Sequence, residues 1–266
     1  VLYSSFCIGS FLIEAFDYLY RWISRSHPDM SAPARRDHIL QHNLYGVDLD
    51  EQAIEVTRLN LLLRAAYERR LLPPLTHIKH GDSLIGNEFD YHAKFESVFA
   101  DGGFDVVVGN PPYVRQETLG ATFKDYVSKQ YQVYAGTADL YVYFIERGLS
   151  LLKPDGRLGY ILPNKWMRAN YGKALRAFLG EKHITRVVDF GDLPVFPDAT
   201  TYPSLLFLDN APKTDTFLAT NANTYDMKTE LTDFVRDNEH PISRQHLRAD
   251  GWSLAKSTGQ ALLAKL

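Results

Sequence analysis

The sequence predicts an α/β domain with a mostly parallel sheet covered by helices on both faces. Short apolar runs, such as residues 104–108, alternate along the chain with amphipathic helical patterns, such as residues 10–27. Parallel strands need crossover connections, usually helices, so this alternation favours a parallel arrangement. Several apolar runs end in Gly, Asp or Asn, and doubly wound sheets bind ligands beyond the carboxyl ends of their strands. We therefore expect the functional site at that edge.

Each predicted element follows from a local pattern. Apolar residues recur at three-to-four spacing in the first helix, and Asp50 is a suitable N-cap for the second. The predicted helices cover residues 10–27, 51–70, 138–152 and 171–179, and the predicted strands cover residues 43–50, 75–84, 104–110, 157–163, 184–190 and 202–209. Residues 28–37 predict a Pro- and Ser-rich loop, and residues 114–136 predict irregular or weakly helical chain.

The composition is typical of a globular protein. Hydrophobic residues make up 45% and charged residues 23% of the 266 residues, enough to bury a core. The single cysteine excludes an internal disulfide framework and favours a reducing cytoplasm. No apolar run has the length of a membrane span, so we expect no membrane association. The net charge is −3, but residues 110–180 hold ten Lys or Arg against five Asp or Glu, which allows one basic face for a polyanion.

The hydrophobic pattern thins beyond residue 210. We therefore expect one domain over residues 1–210, followed over residues 211–266 by a linker and the start of a further region. The chain opens at Val1 without an initiator Met and at the stub of a strand. We expect a truncated first strand and an excerpt of a longer polypeptide.

Asp48 ends a predicted strand and precedes a helix. Doubly wound folds place an acid at this position against ribose hydroxyls, and Leu49 beside it can offer an apolar surface to a base. The alternative is that Asp48 caps the helix, a role for which Asp50 is better placed. We favour the binding role.

Asp82 and Ser83 close the next predicted strand, in the stretch HGDSLI. The Asp82 carboxylate can accept from an exocyclic amino group while the Ser83 backbone amide donates to a ring nitrogen, and such a pair reads an adenine edge. Gly-Asp-Ser is also a common turn, which is the more frequent explanation of an isolated instance.

The stretch VVVGNPPY joins a buried strand to a rigid polar and aromatic corner. An ordinary turn requires neither the aromatic residue nor the three valines. The amino nitrogen of adenine is a weak nucleophile, because its lone pair is delocalised into the ring. The Asn110 side-chain oxygen and the Pro111 carbonyl can accept from its N–H bonds and favour a tetrahedral nitrogen. Pro111 and Pro112 hold this corner rigid, and Tyr113 supplies a flat surface for stacking.

The order of these motifs resembles the gamma-class adenine-N6 DNA methyltransferases, the TaqI-like group that includes the methylase parts of type IIG restriction-modification proteins. The matching stretches are GVDLDEQAIEV, GDSL, GNPPYVRQE and GRLGYILPNKWM. The resemblance implies a Rossmann-like fold and transfer of methyl from S-adenosylmethionine to adenine-N6 at a specific site in double-stranded DNA, with the adenine flipped out of the duplex. It also allows an upstream nuclease domain and a downstream target-recognition domain, in a bacterial or archaeal cytoplasm.

The resemblance assigns a role to each motif residue. The implied cofactor-binding residues are Gly9, Asp48, Leu49, Asp82, Ser83 and Phe144, and the implied catalytic residues are Asn110, Pro111, Pro112, Tyr113 and Phe196. Phe196 would cover the second face of the flipped adenine, although a core role for this ring stays open. No metal is expected.

The family's first motif, D-P-A-C-G-S-G, departs from its pattern here. The aligned stretch is YSSFCIGSFL, in which Tyr3 stands where the acid belongs and Gly9 is retained. Phe6 and Ile8 add bulk where the family has small residues, and Cys7 replaces a glycine. Two alternatives therefore stay open. One is a non-catalytic DNA-binding remnant with a decayed cofactor loop. The other is a protein-glutamine or RNA guanine-N2 methyltransferase, which uses the same Asn-Pro-Pro-aromatic motif.

Overall fold

The computed structural model describes residues 1–4, 8–66, 71–86, 88–196 and 201–255. The chain divides into two compact units. The first unit consists of Val1–Pro112 and Leu151–Lys153, and the second of Tyr113–Ser150 and Pro154–Leu266.

Strands and helices alternate along both units. Those of the first unit are β1 (Leu2–Ser4), α1 (Ile8–Ser26), α2 (Ala32–His42), β2 (Tyr45–Asp48), α3 (Glu51–Ala65), β3 (Ile78–His80), α4 (Tyr91–Lys94), α5 (Glu96–Ala100) and β4 (Phe104–Gly109). Those that follow are α6 (Gly120–Gln130), α7 (Tyr141–Ser150), β5 (Leu152–Pro163), α8 (Lys173–Gly180), β6 (His183–Asp189), β7 (Pro203–Asp209), β8 (Thr216–Asn221), α9 (Leu231–Asn238) and β9 (His240–Ser243). Short 3-10 turns cover Gln116–Leu119, Asn164–Met167, Asn170–Gly172 and Arg244–His246.

The described strands of the first unit are parallel, in the order β3-β2-β1-β4. Leu2 of β1 pairs with Tyr45 on one side and with Val107 on the other. All four residues of β2 are buried, as expected for a strand covered on both faces. Because the strands run the same way, their carboxyl ends lie along one edge.

Three helices build the main core of the first unit. Their apolar faces pack together through the buried residues Leu12 and Phe16 of α1, Ile39 and Leu40 of α2, and Ile54 and Leu61 of α3. A second cluster is aromatic, in which Tyr45, Phe95 and Phe104 meet edge to face with ring centroids 5.4–5.7 Å apart. Such pairs contribute about 0.5–1.5 kcal/mol each beyond the burial of their area. Both clusters support the strands that end at the predicted site.

The second unit combines parallel and antiparallel strands, in the order β5-β7-β6-β8-β9. β7 is antiparallel to both β5 and β6, so β5 and β6 run in the same direction. Their last residues lie opposite the start of β7, where Pro163 pairs with Pro203 and Asp189 pairs with Ser204. β8 is parallel to β6, and β9 is antiparallel to β8. The predicted α/β class with a mostly parallel sheet is confirmed.

Two local predictions differ from the structure. Residues 28–37, predicted as a loop, include the start of α2, which begins at Ala32 after the N-cap Ser31. Pro33 is tolerated there because the first turn of a helix leaves its N–H groups without intrahelical partners. Residues 75–84, predicted as a strand, contain only the short β3.

The sheet extends beyond residue 210. Residues 216–243 hold β8, α9 and β9, and Ala222, Val235 and Phe190 share one buried cluster. The described part of the range predicted as a linker is thus packed chain, because β8 finds a parallel partner in β6. Among the described residues, no helix is both long and apolar enough to span a bilayer.

Candidate functional site

The carboxyl end of β2 places a buried acid beside an exposed apolar side chain. Asp48 is 2% exposed, whereas Leu49 is 53% exposed. The Asp48 Oδ1 atom accepts a hydrogen bond of 2.9 Å from the backbone N–H of Asp50, which orients the carboxylate. Asp50 itself caps α3, since its Oδ1 accepts from the N–H of Gln52 at 2.9 Å. Helix capping, the alternative role of Asp48, therefore does not account for its burial.

A tight turn follows β3. The Asp82 Oδ1 atom accepts hydrogen bonds from the backbone N–H groups of Leu84 at 2.8 Å and Ile85 at 3.2 Å, and Ser83 is buried. This geometry is the turn that the sequence offered as the alternative to ligand binding. The same turn fixes the direction of the carboxylate, whose second oxygen can accept a further hydrogen bond.

The Asn-Pro-Pro segment follows β4 directly. Pro111 is buried, and Asn110 and Pro112 are half-buried. Because β2, β3 and β4 run the same way, this segment shares one edge of the first unit with Asp48 and Asp82. The structure thus brings the predicted cofactor acids and the predicted catalytic amide to the same edge.

Gly9 lies in the first turn of α1, a few residues beyond β1. A Cβ at this position would lie 3.6 Å from Thr57 Oγ1 of α3, an ordinary contact distance. Packing therefore does not require a glycine here, whereas close approach of a ligand to the backbone would. The predicted substitutions at Phe6 and Cys7 lie outside the described residues.

Tyr113 begins the second unit and contacts Tyr141, which in turn contacts Tyr171. Its ring meets the ring of Tyr141 edge to face, with centroids 6.4 Å apart and planes at 86°. The hydroxyl oxygens of Tyr141 and Tyr171 are 2.9 Å apart, and the Tyr171 hydroxyl also interacts with the Asp139 carboxyl, which lowers the pKa of that carboxyl. Each hydroxyl can donate or accept, so the Tyr141–Tyr171 hydrogen bond can run in either direction. We call Tyr113, Tyr141, Tyr171 and Asp139 the tyrosine chain.

Backbone hydrogen bonds hold the segment after Tyr113 against the segment that leads into α7. The Leu140 N–H donates to the Val114 carbonyl at 2.8 Å, and the Gln116 N–H donates to the Ala138 carbonyl at 3.1 Å. These bonds flank an isolated antiparallel bridge between Arg115 and Asp139. The chain directly after Tyr113 is therefore fixed by backbone hydrogen bonds, and the Tyr113 ring is held by its contact with Tyr141.

Burial governs the protonation of the tyrosine chain. It raises the pKa of Tyr113 and of Tyr171 to about 12, so both phenols are neutral near pH 7. Burial also raises the pKa of the Asp139 carboxyl. The hydrogen bond from Tyr171 and the nearby cations Arg115 and Lys165 oppose that rise in pKa. Tyr113 thus presents a neutral ring, which suits stacking rather than acid–base chemistry.

The two predicted phenylalanines also lie in the second unit. Phe144 is on α7 and is 7% exposed, whereas Phe196 is half-buried in the chain after β6. Residues 197–200, which follow Phe196, lie outside the described residues. The cofactor role of Phe144 and the stacking role of Phe196 stay predictions.

A polar pair at the ends of β5 and β6 was not predicted. The Asn164 side-chain N–H groups donate to Asp189 Oδ1 at 2.9 Å and to the Gly191 carbonyl at 3.2 Å. The Gly191 N–H donates to the same Asp189 oxygen at 2.9 Å. Both polar residues stand at the end of a predicted strand, and that position would have identified them. The sequence gives no comparable indication of the tyrosine chain, apart from the high number of tyrosines in this part of the chain.

Comparison with known proteins identifies a protein family that this chain matches. Residues 42–196, more than half of the chain, match the family described as Eco57I restriction-modification methylases. The chain is 31% identical over 294 residues to RM.Eco57I of Escherichia coli, a type II restriction enzyme and methyltransferase, covering 96% of this chain and 29% of that protein. It is 29% identical over 224 residues to PglX of Streptomyces coelicolor, an adenine-specific methyltransferase, covering 68% of this chain and 18% of that protein.

The fold is similar to that of a solved restriction-modification enzyme. A nuclease-deletion mutant of the type ISP enzyme LlaGI, in complex with a DNA substrate mimic, matches with a TM-score of 0.66 at 13% identity. The match covers 97% of this chain and 28% of that chain, and at this identity it concerns the fold alone. The chain spans less than a third of the length of each of these proteins.

Proposed function

Because the chain belongs to the family of Eco57I restriction-modification methylases, we propose that it methylates adenine-N6 at a specific site in double-stranded DNA. The methyl donor is S-adenosylmethionine, and the reaction forms part of a restriction-modification system. The family membership confirms the resemblance predicted from the motifs. The adenine-specific description of PglX supports adenine as the target base.

The position of Asn110 at the carboxyl end of β4 carries this proposal. An amide oxygen, a carbonyl of a buried proline and an aromatic ring follow one another within four residues, directly after a strand of the sheet. Asp48 and Asp82 stand at the ends of two parallel strands of the same unit. An amide without such acids nearby would not distinguish a methyltransferase from an ordinary turn.

The described residues fit the adenosine half of S-adenosylmethionine. The buried Asp48 carboxylate would accept from the ribose hydroxyls, and the exposed Leu49 would pack on the base. Asp82 and the Ser83 backbone amide would bind the adenine edge, with Gly9 allowing close approach to the remainder and Phe144 lining the pocket. When bound, S-adenosylmethionine supplies an electrophilic methyl group on its sulfonium sulfur.

The catalytic residues act on the target amine by position rather than by proton transfer. The Asn110 side-chain oxygen and the Pro111 carbonyl accept hydrogen bonds from the two N–H groups of the adenine amine. This arrangement turns the lone pair of the amine nitrogen toward the methyl donor. Pro112 restricts the backbone before Tyr113, whose neutral ring stacks on the base, and Phe196 covers the other face. Preorganised acceptors of this kind need no reorganisation as charge develops on the nitrogen.

The partner is double-stranded DNA with its target adenine flipped into the site, since a stacked base is out of reach. The exposed Lys and Arg side chains among residues 110–180 would contact phosphates. An upstream nuclease domain and a downstream target-recognition domain in the same polypeptide complete the proposal. A restriction-modification system places the protein in the cytoplasm of a bacterium or archaeon.

The test is the methylation pattern of a host genome. The protein that carries this chain is expressed in a bacterial host without adenine methyltransferases of its own, and genomic DNA is sequenced for N6-methyladenine. We expect methylation at nearly every copy of one short sequence. The Asn110→Ala variant, expressed to the same level, should leave that sequence unmodified, because one of the two acceptors is lost.

Other outcomes separate the alternatives. Methylated guanosine in RNA, or methylglutamine in protein, without N6-methyladenine in DNA would show that the Asn-Pro-Pro-Tyr motif serves a different planar amine or amide. DNA binding without incorporation of labelled methyl would identify a non-catalytic remnant. Either result would overturn the proposed function.

A further inference from the structure

The second unit contains a cavity of about 330 Å³ that no predicted role accounts for. It is lined by Asn164, Lys165, Arg168, Ala169 and Asp189. Asn164 follows β5 and Asp189 ends β6, so the cavity lies at the carboxyl ends of two strands of this unit. That edge is where sheets of this kind bind their ligands, and the volume is at the lower end of the range for ligand pockets, about 300–1,000 Å³.

The cavity carries more positive than negative charge. Lys165 and Arg168 are exposed, and neither side chain forms an ion pair or a hydrogen bond within the described part of the chain. Other cations of this unit do form ion pairs, such as Arg186 with Glu239 at 2.7 Å. The acid that lines the cavity, Asp189, is 8% exposed and accepts its hydrogen bonds from within the fold rather than from these cations.

The loop that carries Lys165 and Arg168 is stabilised by a third cation, the buried Arg176. The Arg176 side chain is 2% exposed, and its guanidinium donates to the carbonyls of Trp166 at 2.6 Å, Ala169 at 2.9 Å and Ala249 at 2.7 Å. The Trp252 N–H adds a bond of 2.8 Å to the carbonyl of Met167. The backbone from residue 166 to residue 169 is thus fixed before any ligand arrives, and a buried positive charge lies under it.

We propose that this cavity binds one backbone phosphate of the substrate DNA, with Lys165 and Arg168 on its anionic oxygens. The inference rests on the proposed function and identifies a phosphate-binding site within it. A guanidinium offers paired N–H donors to a phosphate and an ammonium offers a compact charge, so the two side chains complement each other. Because the loop is already ordered, the contact would hold one phosphate in a set place and so fix the register of the duplex.

The test replaces single phosphates of the duplex with neutral methylphosphonates. Once the recognition sequence is known, a series of duplexes carries one neutral linkage each on either side of the target adenine. Binding to each duplex is measured for the wild-type protein, Lys165→Ala, Arg168→Ala and the control Lys228→Ala. Lys228 is an exposed lysine of the same unit, located before α9 and without an ion pair among the described residues.

We expect one linkage whose neutralisation weakens wild-type binding about tenfold, as for a charge-assisted hydrogen bond. At that linkage, neutralisation should weaken DNA binding by Lys165→Ala and Arg168→Ala far less than binding by the wild type. In each variant the side chain that would contact the phosphate is already missing. Each variant should also lower the salt dependence of binding by about one counterion. Lys228→Ala should repeat the wild-type pattern.

The inference would be overturned if the loss of binding caused by each variant simply added to the loss caused by neutralisation at every linkage. Additive losses would mean that Lys165 and Arg168 contact no single phosphate. The proposed function is tested separately by methylation of the unmodified duplex. If wild-type protein methylates that duplex while the losses add, the phosphate site alone is wrong. If no duplex is methylated, the proposed function itself fails.

Discussion

The hydroxyl oxygens of Tyr141 and Tyr171 lie 2.9 Å apart, and the buried ring of Tyr141 stands edge-on against Tyr113. Tyr141 therefore lies between the other two tyrosines of the tyrosine chain, and contacts Tyr113 through its ring and Tyr171 through its hydroxyl. An edge-to-face contact restricts rotation of both rings, because the preferred geometry is lost when either turns. We infer that Tyr141 positions the ring on which the target base would stack.

The Tyr141→Phe variant tests this positioning role. It keeps the aromatic ring but removes the hydroxyl that is hydrogen-bonded to Tyr171, which should destabilise the fold by about 0.5–1.5 kcal/mol. We expect slower methylation and a smaller fluorescence rise when 2-aminopurine replaces the target adenine, because the flipped base stacks less stably. The matched control is Tyr143→Phe on the same helix, whose hydroxyl donates to Gln116 at 2.5 Å. An equal loss of the flipping signal in both variants would argue against a specific role for Tyr141.

Substitution of Tyr113 separates its ring from its hydroxyl. Tyr113→Ala should abolish methylation while the fold stays intact, because the stacking surface is lost at the end of the apolar strand rather than within it. Tyr113→Phe should keep activity within a few-fold, since the phenol is neutral and the ring is unchanged. Incorporation of labelled methyl into duplex DNA measures both. An inactive Tyr113→Phe protein with a normal melting temperature would assign the essential role to the hydroxyl instead.

Phe196→Ala should weaken methylation less than Tyr113→Ala does. Stacking on one face of a base contributes about 1–3 kcal/mol, and the Asn110 and Pro111 acceptors would remain. The measurement is kcat/KM on the same duplex for both variants. Unchanged kcat/KM combined with a lowered free energy of unfolding would indicate a core role for this half-buried ring.

The Asp139→Asn variant should change how stability depends on pH. The pKa of Asp139 is raised in the folded protein, chiefly by burial, so folding favours its protonated form. Its contribution to stability is therefore complete below the unfolded pKa and is lost as pH rises through the folded pKa. The uncharged Asn carries no such dependence. We expect the stability of Asp139→Asn relative to wild type to increase as pH rises from 3 to 7, in urea unfolding series.

A decrease in the stability of Asp139→Asn relative to wild type over that pH range would contradict this prediction. It would mean that Arg115, Lys165 and the bond from Tyr171 stabilise the carboxylate by more than burial disfavours it. Methylation by Asp139→Asn should persist in either case, because an amide oxygen can still accept from Tyr171.

The sequence predicts correctly those structural elements that depend on residues close together in the chain. The strand before Asn110 and the cap at Asp50 both follow from residues close in sequence, and both are in the structure. The Pro- and Ser-rich stretch around Ala32 predicts a loop, but α2 begins there because the first turn of a helix accepts proline. The contact of Tyr141 with Tyr171 joins residues 30 apart in sequence. No periodicity encodes such a contact, since it depends on how α7 packs.

Gly81→Ala tests the turn that carries Asp82 and Ser83. A Cβ at residue 81 would overlap the ring of Phe89, which is itself buried, so either the ring or the turn must shift. Overpacking of this kind costs typically about 1–3 kcal/mol. We expect a lower free energy of unfolding and weaker binding of S-adenosylmethionine by calorimetry. Gly136→Ala is the control, because a Cβ there would meet nothing within 4 Å. Equal effects of both substitutions would contradict the packing argument.

The buried Arg176 guanidinium limits where segments of this protein can be exchanged with those of relatives. It joins the carbonyls of Trp166 and Ala169 to that of Ala249, which lies 73 residues after Arg176 in the chain. A hybrid joined before residue 249 takes the backbone at that position from the relative, and displacement of the carbonyl there would leave a buried charge short of acceptors, which costs several kcal/mol. Recombination that replaces a downstream recognition segment would therefore be tolerated after Trp252 far more readily than between β7 and β9.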